Sequence, residues 1–252
     1  MAASDLQKRV SALPRELQQK IMYNAYPDLK TLRQQGHILV TEDRTVSLPS
    51  SMTVRVFLVG GGGGVIPSRF FVDQIEWGGG GSGHLTKGQL VVPDSGEISV
   101  KIGRSRRSRL GGFGHPSIVV AEKSLIAGGG EVRNGDGGSG WSGGGGNGID
   151  QAEGGGRGGS NGGDGEAGTD YCYTSPGGRG SGAALPHIPG LTLAPGRPGE
   201  PRGGRGGGGG GVTVNGGPGR RDQHCGEGFG AGGCDNEGTS GVVIIYSDKQ
   251  KG

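Results

Sequence analysis

Arg104, Arg106, Arg107 and Arg109 form the densest charge cluster of the chain, in the string Gly103-Arg104-Ser105-Arg106-Arg107-Ser108-Arg109. A guanidinium pairs with carboxylate or phosphate in a forked, two-bond geometry, so a turn carrying these arginines fits an acidic partner or a phosphate. As a solvated loop between strands it needs no partner. His224, Cys225, Cys234 and Cys172 are the residue types of a metal site, but their spacing fits no zinc pattern. Cys225 and Cys234 could instead close a disulfide. Val56-Phe57-Leu58-Val59 running into Gly60–Gly64 mimics the strand and glycine loop of a dinucleotide site. Such a site needs a helix immediately after the loop to hold the pyrophosphate, and Val65-Ile66-Pro67-Ser68 opens none. No G-x-S-x-G elbow or paired acids stand in a catalytic setting. The residues therefore predict no catalytic, cofactor-binding or metal-binding site, and a protein that is not an enzyme.

Two other patterns concern binding. Arg157-Gly158-Gly159, Arg202-Gly203-Gly204 and Arg205-Gly206-Gly207 have the form of RNA-binding segments. They lack the aromatics that stack on bases, and Glu153, Asp164, Glu166 and Glu200 share the region. With 26 basic against 23 acidic side chains and a formal charge of +3, nucleic acid is disfavoured as a partner. Trp141, Tyr171 and Tyr173, with Phe229 and 185–193, interrupt the glycine tracts. They read either as exposed contact residues at loop tips or as caps that close the ends of a glycine bundle.

The elements that position these residues divide at a compositional frontier. Residues 1–50 contain one glycine, Gly36, whereas the whole chain of 252 holds 64. Residues 1–36 read as a helical leader: Leu17, Ile21 and Ala25 recur at spacing four as one apolar stripe, and Leu13, Leu17 and Ile21 are the expected docking residues, toward the chain's own domain or a partner. Pro14 suits a first helical turn, Asp28 a second cap, and Gly36 a stop. Residues 37–127 carry strand signals at His37–Val40, Thr45–Pro49, Thr53–Val59, Phe70–Trp77, Gln89–Val92, Ile98–Ile102, Ser117–Ala121 and Lys123–Ala127. Gly241–Tyr246 is again a strand, and with no neighbour in sequence to pair with it must return to the same sheet. Residues 128–240 are then an excursion from one β-base, within a glycine-rich domain spanning 37–252.

Within that excursion Gly137, Gly140, Gly143 and Gly146, and Gly156, Gly159, Gly162, Gly165 and Gly168, recur at every third residue. Three residues per turn is the period of the polyproline II helix, whose peptide groups point outward with no internal hydrogen bonds. Packed side by side, such helices can bond backbone to backbone where glycine lines the contact. The expected fold is mainly β: a small β-sandwich-like base carrying a bundle of packed polyglycine II helices, after a short helical segment.

The string Thr45-Val46-Ser47-Leu48-Pro49, Met52-Thr53-Val54-Arg55-Val56-Phe57-Leu58-Val59 and Gly60–Gly64 resembles the entry of the glycine-rich domain family. The strand pair within Gly88–Gly103, the Ala127-Gly128-Gly129-Gly130 step and the closing Gly241–Tyr246 continue the resemblance. The family includes phage tail-fibre tips and the glycine-rich region of the anaplastic lymphoma kinase receptor. It implies adhesion, ligand binding or particle assembly without catalysis. The leader Leu13-Pro14-Arg15-Glu16-Leu17-Gln18-Gln19-Lys20-Ile21 is similar to F-box-type openings and to leaders on proteins of large DNA viruses. No basic region followed by an apolar run opens the chain, so no signal peptide is expected, and no stretch reaches the roughly 18 apolar residues of a membrane span. The expectation is a cytosol-made structural protein of a virion or fibre, a minor capsid or surface component, with no cofactor. Its partners would be other structural proteins of the same assembly or copies of itself. The alternative is an adhesin-like module that recognises a receptor or glycan through loop tips.

Overall fold

The computed structural model describes residues 10–65, 79–108, 112–132, 139–142, 178, 185–200, 207–217, 225–233 and 238–247. Two helices open the described chain, α1 (Arg15–Ala25) and α2 (Pro27–Gln35). The strands that follow are β1 (His37–Val40), β2 (Arg44–Ser47), β3 (Thr53–Val59), β4 (Gly63–Val65), β5 (Leu85–Val91), β6 (Glu97–Lys101) and β7 (Arg106–Ser108). Then come β8 (Gly112–Phe113), β9 (Ser117–Val120), β10 (Ser124–Ala127), β11 (Glu131–Val132), β12 (Leu193–Pro195), β13 (Val212–Val214) and β14 (Val242–Tyr246). The candidate strand Phe70–Trp77 lies outside the described residues.

The chain's last strand does return to the first sheet, and to its middle. The order is β1-β14-β3-β5, all antiparallel, with Val242 opposite Val59 and His37 opposite Tyr246. All five residues of β14, Val-Val-Ile-Ile-Tyr, are buried. Side chains alternate between the faces of a strand, so an unbroken apolar run can be satisfied only by a sheet covered on both sides. On one face Val243 and Ile245 join Val54, Val56, Leu58, Ile38 and Val40 in a core shared with the second sheet. On the other, Val242, Ile244 and Tyr246 join Phe57 and Val59 beneath Trp141, Ile188, Val212 and Val214.

The second sheet, β10-β9-β6-β2, is also antiparallel and turns Val46, Ile98, Val100 and Val119 inward. Its polar residues alternate outward along β6 (Glu97, Ser99, Lys101), the signature of a sheet with one wet face. The base is thus mainly β, two antiparallel sheets around one interior, with a second apolar layer on the far side of the first sheet.

The two helices of the leader differ in burial. Tyr26, Leu29 and Leu32 of the Tyr26–α2 stretch belong to the inter-sheet core, so α2 is part of the base. Asp28 does not cap the helix; its carboxylate accepts the Ser47 N–H of β2 (2.8 Å) and pairs with Arg44 (2.7 Å). That tie holds α2 against the edge of the second sheet, where β2 would otherwise show an open row of peptide groups. Gly36 ends α2 in the left-handed conformation (φ 80°), as its position predicted. By contrast α1 has no fully buried residue. Among the described residues no helix is long and apolar enough to cross a membrane.

Candidate functional site

Where β3 ends, the chain leaves the sheet and its hydrogen bonding changes period. Gly60 donates to the His84 carbonyl (3.0 Å), Gly61 to His115 (3.0 Å), Gly62 to Thr239 (3.0 Å) and Gly63 to Gly81 (3.0 Å). Gly60 and Gly63, three apart, bond one neighbouring segment at positions three apart; the two residues between them bond two other segments. The stretch 80–84 repeats this. Gly80 and Gly83 donate to Gly233 and Gly230, Gly81 and His84 to Glu131 and Gly128, and Ser82 to Ser142. Gly196 and Gly199 likewise donate to Gly211 and Gly208. A β-strand sends its bonds alternately to two sides; here the segments 60–63 and 80–84 address three directions in turn.

The backbones of this net touch. A Cβ on Gly60 would enter the Gly128 carbonyl, one on Gly61 the Arg104 carbonyl and one on Gly232 the Gly80 carbonyl. The bonded glycines are not confined to 128–240: Gly60–Gly63, Gly80, Gly81, Gly83, Gly103 and Gly114 take part. Four hydroxyls complete the net where a backbone partner is missing. Ser117 Oγ accepts the Gly103 N–H (2.8 Å) and donates to Val59 O (2.6 Å). Thr239 Oγ1 accepts the Ala231 N–H (2.7 Å) and donates to Gly228 O. Ser82 Oγ accepts the Ser142 N–H (2.8 Å), and Ser142 Oγ donates to Gly210 O. All four residues are buried, so each hydroxyl spares a peptide group the cost of going unpaired without water.

His84 sits at the seam between this net and β5. Burial pushes its imidazole below the ordinary value of 6.5, and the negative charge of Glu131 opposes that fall.

The sequence-predicted site residues scatter. Arg104 is exposed. Arg106 and Arg107 lie in β7, whose backbone pairs in parallel with β4 (Gly63 opposite Arg106, Gly64 opposite Arg107). Arg109, Tyr171 and Tyr173 lie outside the described residues, as do Cys172 and Cys234; Cys225 is buried. Trp141, expected as a contact aromatic at a loop tip or a cap of the bundle, is 2% exposed and packs on the far face of the first sheet. The physical reason is that glycine supplies no side chains to fill the space between net and sheet, and the indole does. In the leader Leu13 and Ile21 are half-buried, while Leu17 is 44% exposed.

Phe113, 58% exposed, was not singled out from the sequence. An aromatic isolated between glycines, Gly111-Gly112-Phe113-Gly114, was the available signal. Its strand β8 pairs with β11, Phe113 opposite Glu131. Exposure alternates along 113–115, with Phe113 and His115 outward and Gly114 buried. His115 donates its N–H to Arg104 O (2.9 Å).

The architecture thus combines a two-sheet base with segments joined through glycine peptide groups. Residues 40–248 match the model of the glycine-rich domain. The chain therefore belongs to the glycine-rich domain family, as the strand and glycine strings at 45–64 and 241–246 led one to expect. A comparison with curated proteins finds no match.

Proposed function

We propose that the protein is a non-enzymatic structural component of an assembled particle or fibre, a minor capsid or surface protein of a virion, and that its glycine net is a bundle of polyglycine II helices. The observation that carries this reading is the three-residue repeat of the hydrogen bonds at 60–63 and 80–84. A helix with three residues per turn and outward peptide groups addresses three neighbours in rotation. Such a body spends its backbone and hydroxyl groups on rigidity, which suits a building block more than a machine that must open and close. The half-open apolar stripe of α1, with Leu17 at its crest, supplies an anchor to neighbouring subunits, and α2 holds that anchor to the base.

The test is fractionation of gradient-purified particles from the source that encodes the chain. The protein is expected to co-sediment in a fixed ratio to the major component and to resist protease there. Deleting 1–25, which spares Tyr26 and α2, is expected to leave the domain folded and release it from the particle. A protein that stays wholly in the unassembled fraction refutes the reading. Rapid exchange of the amides of Gly60–Gly63 and Gly81–His84 in the folded protein refutes the polyglycine II bundle.

A further inference from the structure

We infer that Arg104, Phe113 and His115 form a preorganised docking face for an acidic segment of a partner protein. This face stands independently of the particle reading. Phe113 is the most exposed of the large apolar side chains among the described residues, at 58%. Two residues on, His115 is exposed as well. The His115 N–H bond to Arg104 O sets the exposed Arg104 beside it.

The face is held from below. His115 O accepts the Gly61 N–H (3.0 Å) and Gly114 N–H donates to Gly130 O (2.7 Å). A Cβ on Gly114 would enter the Gly61 carbonyl, so the tip is locked into the glycine net. Little backbone entropy remains to be lost on binding, which favours affinity.

The charge identifies the partner. Residues 101–121 contain Lys101, Arg104, Arg106, Arg107 and Arg109, with His115, and no acid. An aromatic flanked by arginine is the composition of an interface anchor. Nucleic acid is the poorer fit: Phe113 is a single platform rather than a series for stacked bases. A carboxylate-rich segment with one apolar side chain can seat the latter on Phe113 and turn its acids toward Arg104 and His115. The Glu131 carboxylate accepts the Ser139 N–H (3.4 Å) and so is directed to its own chain.

The test is fluorescence anisotropy with a labelled glutamate-rich peptide carrying one central leucine, at about 20 and about 150 mM salt. The parent protein is expected to bind, more weakly at the higher salt. Phe113→Ser is expected to weaken binding about tenfold without lowering the melting temperature, while Phe113→Leu retains most of it. Arg104→Ser is expected to weaken binding and flatten its salt dependence; Lys30→Ser, on α2, is expected to change neither. Equal binding by the parent and Phe113→Ser overturns the inference, because the attraction would then be charge alone. Absence of binding overturns it, and so does tighter binding of an oligouridylate of equal charge, which would mark a nucleic-acid surface.

Discussion

Leu58 and Gly60 are two residues apart in sequence, and the regions they belong to cohere by opposite means. Leu58 is buried between the sheets, where stability comes from apolar area withdrawn from water and from dense side-chain packing. Gly60 contributes no side chain. Its segment is held by peptide hydrogen bonds to three neighbours, each of modest net worth, against a large entropic cost of ordering glycine. The inter-sheet core therefore tolerates exchange of one apolar group for another of similar volume. The net depends on few side chains, its hydroxyl joints among them, and tolerates none added where its backbones touch. Trp141 and Phe57 lie on the boundary, where a side-chain layer must meet a layer that has almost none.

The largest effects should come from opposing substitutions across that boundary. Leu58→Ala is expected to cost about 2–5 kcal/mol in denaturant unfolding, with Leu58→Met costing less than about 1.5 kcal/mol. Adding one methyl at Gly60→Ala is expected to cost about 1–3 kcal/mol, against the general rule that alanine is easier to order than glycine. A neutral Gly60→Ala would show that the backbones do not touch.

A smaller loss is expected at the hydroxyl joints. Ser117→Ala leaves the Gly103 N–H and one Val59 lone pair without their partner, a cost of about 1–3 kcal/mol. Native-state hydrogen exchange should place the loss at the amide of Gly103 and leave those of β2 and β6 protected. If protection falls evenly over the chain, the two regions are one cooperative unit.

The smallest effect is the pH response of His84. Burial lowers its pKa in the folded protein, so the unfolded chain takes up the proton first as pH falls. Stability is full above the ordinary value of 6.5, declines as pH drops through the folded value, and levels off below it. Measured as the denaturation midpoint against pH, this slope is expected to be absent in His84→Gln. In Glu131→Gln it should extend to lower pH, because the charge that opposes the shift is gone.

Much of the base was legible because β3 and β14 are long apolar runs, and only a twice-covered sheet absorbs Val-Val-Ile-Ile-Tyr. The threefold glycine phase was legible at 137–146 and 156–168, which apart from Gly140 lie outside the described residues; the threefold bonding is seen at 60–63 and 80–84, where near-continuous glycine shows no phase. The strands β4, β7, β8 and β11 were not: two or three residues are too few to show alternation, and their partners are fixed only once the net has formed. Asp28 read as a cap because local capping is the commoner use of an aspartate there. Its tie to Ser47 and Arg44 depends on the α2–β2 approach, which no local pattern encodes. The hydroxyl joints are invisible for the same reason, since Ser117 meets Val59 across 58 positions of chain. Of the arginine cluster the sequence showed the charge. That His115 lies beside Arg104 follows from their backbone bond, and that Phe113 lies opposite Glu131 from the register of β8.

The rotation of successive bonds among three neighbours has a mechanical consequence. A ribbon of paired strands can be peeled from one end, rung after rung, under a force that breaks one contact at a time. A segment such as 80–84 offers no such seam. Tension along it loads several adjoining segments together, and it must part from all of them before it slides. Shear at a surface, of the kind a filament tip or an outer shell meets, would be shared through the cross-section rather than concentrated at a fraying edge.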